Sequence, residues 1–248
     1  MLDTGVVDTT PRRTAPPKVV IINTVKRLVV KTIDLSRVAG SSSHLDKMVV
    51  ETGLNKKTFI YLGDALNNRI LVWDVDHKYG WSVQLPEHVM GVAEDCGTPH
   101  PFYLALVRTK TKGVHRLFFT HFCSDKLYSV YTSYLQRNAN LSAEIVEVGE
   151  KPEGMVILGT DKQSAIYLRH GWKSAIYKWD PTTAFGVHYF ELVSRGDEYS
   201  MSTAVAPGFA GVMFGLESNF EDFLHNKTSC LGPTVSLFPL IKPSHKYE

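Results

Sequence analysis

The sequence has little net charge, few cysteines and no long apolar run, and each shortage removes a class of protein. Lys and Arg number 27 against 25 Asp and Glu, a formal charge of +2. Only Arg108-Thr109-Lys110-Thr111-Lys112 concentrates cations, and so short a segment neutralises few phosphates. It reads as a solvated loop, and no nucleic-acid partner is expected. No stretch approaches the roughly 20 apolar residues that span a bilayer, so no membrane span is expected. The opening Met1-Leu2-Asp3-Thr4-Gly5 lacks the charged segment and apolar core of a signal peptide. Cys96, Cys123 and Cys230 fit neither a metal motif nor a dense disulfide scaffold; one disulfide with a spare thiol, or three thiols, both suit the spacing. The 10 histidines show no metal-type pairing, and neither a Gly-rich phosphate loop nor a Gly-x-Ser-x-Gly elbow occurs. No metal and no cofactor are expected.

What is present is a succession of short apolar runs. The first 17 residues are polar, carry Pro11, Pro16 and Pro17, and read as a disordered lead-in. From Lys18 to the end of the chain the runs are rich in β-branched and aromatic residues and are punctuated by Gly, Asn, Asp and Pro. Val19–Ile22 and Leu28–Val30 predict two adjacent strands. A weak repeat follows. Phe59–Leu62 precedes Ile70–Asp74, Arg116–Phe119 precedes Leu127–Val130, and Ala165–Leu168 precedes Ala175–Asp180. In each unit the two runs are separated by a polar turn, and the units recur at roughly 50 to 57 residues. A hairpin repeated at such a period predicts the blades of a β-propeller; an all-β sandwich is the alternative. Further strands are expected at Gly80–Leu85 and Val187–Leu192, and Gly211–Leu216 would open another blade. The segment Leu45–Val50 is too short and too β-branched for a helix. The expected class is all-β.

The run Tyr61-Leu62-Gly63-Asp64 through Ile70-Leu71-Val72-Trp73-Asp74 resembles the yellow/major royal jelly protein family. Phe102–Leu106 and the stretch from Phe118 through Asp125-Lys126-Leu127-Tyr128-Ser129-Val130 to Leu135 resemble that family in the same order, as do Gly154-Met155 and Leu216–Thr228. The resemblance covers about residues 18 to 240. It implies a six-bladed propeller of a secreted protein, of which four to five blades would be represented in residues 18–248; either an N-terminal portion is missing or the ring closes with fewer blades. The sequons Asn140-Leu141-Ser142 and Asn226-Lys227-Thr228 suit a secreted glycoprotein.

The resemblance further implies one of two activities: binding of small aromatic (biogenic) amines in the central channel, or conversion of dopachrome in pigment metabolism. A structural secreted protein without a ligand is the third reading. An amine site needs acceptors for the ammonium and aromatic faces for the ring. Tyr199, Asn219 and Phe220 are the expected ligand-binding residues. Phe220 stands where the family has Arg, and Tyr199-Ser200-Met201-Ser202 departs from the family's pattern after Asp197-Glu198. A non-enzymatic carrier is the primary expectation, with dopachrome conversion as the enzymatic alternative. His121 and Cys123 share one strand face by period but are expected to pack rather than react. Asp74 and Asp180, at equivalent strand ends, are expected to cap turns, and Trp73, Trp81, Trp172 and Trp179 to anchor packing.

Overall fold

The computed structural model describes residues 1–6, 13–53, 56–90, 101–109, 111, 113–137, 144–161, 165–170, 174–196, 200–219, 222 and 235–240. The class is all-β and the fold is a β-propeller. Five antiparallel sheets are formed among the described residues, and in each the strands lie side by side in chain order. Two have three strands. One opens the chain with β1 (Leu2–Asp3), β2 (Lys18–Asn23) and β3 (Leu28–Asp34), and the other ends the described part with β16 (Met201–Pro207), β17 (Met213–Ser218) and β18 (Val235–Pro239). Three have four strands: β4 (Leu45–Thr52), β5 (Thr58–Asp64), β6 (Arg69–Asp74) and β7 (Tyr79–Gln84); β8 (Phe102–Arg108), β9 (His115–His121), β10 (Lys126–Tyr131) and β11 (Val146–Glu150); and β12 (Val156–Thr160), β13 (Ile166–Arg169), β14 (Ile176–Trp179) and β15 (Glu191–Ser194). The chain divides into two compact units. The first is Met1–Leu104 with Phe119–Ser124 and Val130–Val146, and the second is Ala105–Phe118 with Asp125–Ser129 and Glu147–Glu248.

The repeat read from the sequence is the pair of middle strands of each four-stranded blade. Both faces of these strands are covered, so they read as unbroken apolar runs rather than alternating ones. In β5 every residue after Thr58 is buried, and in β6 every residue after Arg69. Leu62, Ile70, Leu71 and Val72 are wholly inaccessible, and each such side chain contributes roughly 1.5–3 kcal/mol. The outer strand β7 exposes Tyr79 and buries Val83.

The turns explain the recurring polar residues. Asp64, buried at the end of β5, accepts from the backbone N–H of His44 (2.9 Å), from Nδ2 of Asn67 (2.9 Å) and from Nε of Arg69 (2.8 Å). Asp74 accepts from the N–H groups of Asp76 and His77, and Asp180 from that of Thr182. Both cap their turns. Trp179 packs edge-on against Phe118 and Phe185 and donates from Nε1 to the Ala184 carbonyl. Trp81 donates to the Leu135 carbonyl, and Trp73 lies in the core of the first unit with Leu62 and Leu71. Trp172 lies outside the described residues.

Several local readings differ from the structure. Val187–Tyr189 is a 3₁₀ turn, and the strand begins only at Glu191. Val187 and Tyr189 are exposed, while Phe185 and Phe190 pack on each other. The segment from Gly211 is the second strand of its blade, because β16 precedes it. Of residues 1–17, Leu2 and Asp3 pair with β2, and Arg13 donates to the carbonyls of Gly40 and Ser43. That tertiary hydrogen bonding leaves no mark in a polar composition.

In the second unit, β12 and β16 approach closely at Gly159. A Cβ there would fall inside the contact distance of the Val205 carbonyl, so the meeting of these two strands requires a glycine.

Candidate ligand site

The second unit holds a buried carboxylate that no protein cation neutralises among the described residues. Glu217 lies on β17 directly opposite Ser202 of β16 and is only 8% exposed. The register slips between Ser202 and Ala204, a bulge that changes how the strand end is presented. Ser200 Oγ lies 3.1 Å from one carboxylate oxygen and Ser202 Oγ lies 3.3 Å from the other. Ser202 also donates to the Ser174 carbonyl at the shorter distance of 2.8 Å. A serine hydroxyl carries one proton, so the Ser174 bond takes it from Glu217. The carboxylate, with about four acceptor positions, is left with one committed hydroxyl donor and no cation among the described residues. Burial of a charge without a partner is costly, so this arrangement suits an incoming ammonium.

Gly196 makes room for that carboxylate. A Cβ at Gly196 would overlap Oε1 of Glu217 and crowd the Ser174 side chain. Four separate segments therefore converge on one oxygen pair: Ser174 before β14, Gly196 after β15, Ser200–Ser202 at the start of β16, and Glu217 on β17.

Of the ligand-binding residues expected from the sequence, Asn219 alone lies among the described residues. Asn219 follows β17 directly, two residues beyond Glu217, and is half-buried. Tyr199 and Phe220 lie outside the described residues, as do the sequon asparagines Asn140 and Asn226. Tyr199 immediately precedes Ser200, and Phe220 follows Asn219. Sequence reasoning missed Glu217 itself. Its signal is an acidic residue within the apolar strand Met213-Phe214-Gly215-Leu216-Glu217, which acquires meaning only when Gly196 and Ser174 are seen beside it.

Several other buried side chains have partners of their own. In the first unit the Tyr61 hydroxyl donates to Glu51 at 2.7 Å and accepts from Nε2 of Gln136 at 2.9 Å. Burial, reinforced by the Glu51 charge, pushes that phenol well above its usual range, so it stays protonated. In the second unit, burial pushes the Lys151 ammonium down to about 8. His121 stacks on Phe102 with ring centres 4.2 Å apart and meets Asn68 Oδ1 through Nε2. Cys123 is held in a disulfide and so offers no thiolate for a reaction with His121. Cys96 and Cys230 lie outside the described residues.

A family model described as major royal jelly protein matches residues 1–227. The chain belongs to the major royal jelly protein family. The match begins at residue 1, so the segment preceding Lys18 falls within the family pattern as well. No curated protein matches the chain. Among solved structures, the major royal jelly family chain is similar to a streptogramin B lyase at 10% identity and TM-score 0.48, over 91% of this chain and 63% of that one. It is also similar to virginiamycin B lyase from Staphylococcus aureus, at 9% identity and TM-score 0.48, over 89% of this chain and 62% of that one. The chain thus spans less than two thirds of the length of these structures.

Proposed function

We propose that this member of the major royal jelly protein family is a secreted, non-enzymatic carrier of small aromatic amines. The observation that carries the reading is Glu217, buried, short of donors and without a protein cation among the described residues. An ammonium group supplies both the charge and the donors that this carboxylate lacks. Tyr199, which precedes Ser200 in the chain, and Phe220, which follows Asn219, are assigned to the ring by stacking and cation–π contact, with Asn219 holding a ring hydroxyl. The disulfide at Cys123 supports an oxidising compartment outside the cytosol, as do the sequons at Asn140 and Asn226.

Calorimetric titration of the chain with serotonin, dopamine and octopamine tests this. One-to-one binding with a micromolar dissociation constant is the expected result for at least one of the three. A cooperatively melting chain that gives no binding heat with any of them would end the carrier reading. Dopachrome turnover above the spontaneous rate would replace it with the enzymatic one.

A further inference from the structure

The first unit carries a second, basic cleft of about 260 Å³, lined by Lys31, Thr32, Ile33, Asp34, Arg37, Trp73 and Lys78. Its three cations come from three places: Lys31 from β3, Arg37 from the segment after β3, and Lys78 from the turn between β6 and β7. The Lys31 ammonium donates to the Val75 carbonyl at 3.1 Å, which fixes it at the cleft while leaving two of its protons unassigned. The Arg37 guanidinium and the Lys78 ammonium make no hydrogen bond or ion pair among the described residues.

The cleft's one carboxylate offsets only one of these three charges. Asp34 accepts from the hydroxyl of Ser36 at 2.6 Å and from its backbone N–H at 2.8 Å, and these bonds, with a smaller effect from the Arg37 charge, hold its carboxyl below the usual range. The lining therefore carries two positive charges in excess. The turn that presents Lys78 is fixed rather than loose, since Asp74 holds Asp76 and His77, and Lys78 itself sits at φ +55. Trp73 and Ile33 make the apolar part of the lining.

We infer that this cleft binds a phosphate or sulfate monoester of a small organic molecule. The planar Arg37 fork accommodates two oxygens of a tetrahedral oxyanion, and Lys31 and Lys78 act as point charges on the others. The Thr32 hydroxyl adds a neutral donor, and the carbon end of the ester lies against Trp73 and Ile33. The site is independent of Glu217, which belongs to the other unit.

Titrations with inorganic phosphate, inorganic sulfate, glucose 6-phosphate and glucose 6-sulfate test the inference, followed through tryptophan fluorescence because Trp73 lines the cleft. The sugar esters are expected to saturate at one equivalent, more weakly as salt is raised. The double variant R37Q/K78Q, altered only at exposed side chains, is expected to lose about tenfold or more in ester affinity. Its melting curve and its amine titration should match those of the parent chain. No binding of either ester, or ester binding unchanged in R37Q/K78Q, would overturn the inference. Inorganic ions binding as tightly as the sugar esters would overturn the assignment of an ester.

Discussion

Glu217→Gln is expected to lower the affinity for an aromatic amine about a hundredfold, close to 3 kcal/mol, the scale of one charge-assisted contact in a buried site. The substitution is nearly isosteric. The glutamine side chain still fills the space that Gly196 leaves open and still accepts from Ser200, so the strand pairing of β16 and β17 is retained. What disappears is the negative charge. Because that charge is buried with one committed hydroxyl donor and no protein cation among the described residues, its removal costs the fold nothing and is expected to raise the melting temperature slightly. Calorimetric titration and a thermal melt of the variant give both readings. Loss of affinity accompanied by a lower melting temperature would mark Glu217 as a structural group instead. Unchanged affinity would remove it from the site.

Arg69→Met is expected to destabilise the first unit by about 3 kcal/mol, the scale seen when one partner of a buried ion pair is removed. Asp64 is completely inaccessible, and the Arg69 guanidinium supplies its only cation in the network of described hydrogen bonds, at 2.8 Å. Methionine replaces the length of the side chain but leaves the carboxylate charged, with only the His44 N–H and the Asn67 amide as donors. The same guanidinium also donates to Ser43 Oγ, so the segment before β4 loosens with it. Adding Asp64→Asn to Arg69→Met is expected to recover part of the loss, because the uncompensated charge goes. Denaturant melts of the two variants check this. A loss below about 1 kcal/mol for Arg69→Met would place the pair with ordinary surface ion pairs.

The fold was legible where burial covers both faces of a strand. Phe59–Leu62 with Ile70–Trp73 and Ala165–Leu168 with Ile176–Trp179 are the apolar runs of the repeat, and they form the middle strands of their blades. The turns that follow the second run were legible too, since Asp74 and Asp180 each accept from N–H groups just beyond their strands. Legibility failed where distant groups decide the outcome. Val187–Leu192 has the composition of a strand, yet the packing of Phe185 and Phe190 beside Trp179 turns its first half into a 3₁₀ turn. The opening residues look like a solvated lead-in because the carbonyls of Gly40 and Ser43 that hold Arg13 lie 27 and 30 residues further on.

The candidate site shows the same division. The family resemblance singled out Tyr199, Asn219 and Phe220, of which only Asn219 lies among the described residues, two positions beyond Glu217 in the chain. It did not single out the charged group. Glu217 becomes notable only because Ser174 takes the Ser202 proton and Gly196 lacks a side chain, and neither fact is written near Glu217 in the sequence.

The most direct measurement is a crystal structure of the chain soaked with octopamine. The ammonium nitrogen is expected within about 3 Å of a Glu217 oxygen, with the ring beside Tyr199 and Phe220. Octopamine bound elsewhere, or Glu217 paired with a cation of the protein itself, would contradict it.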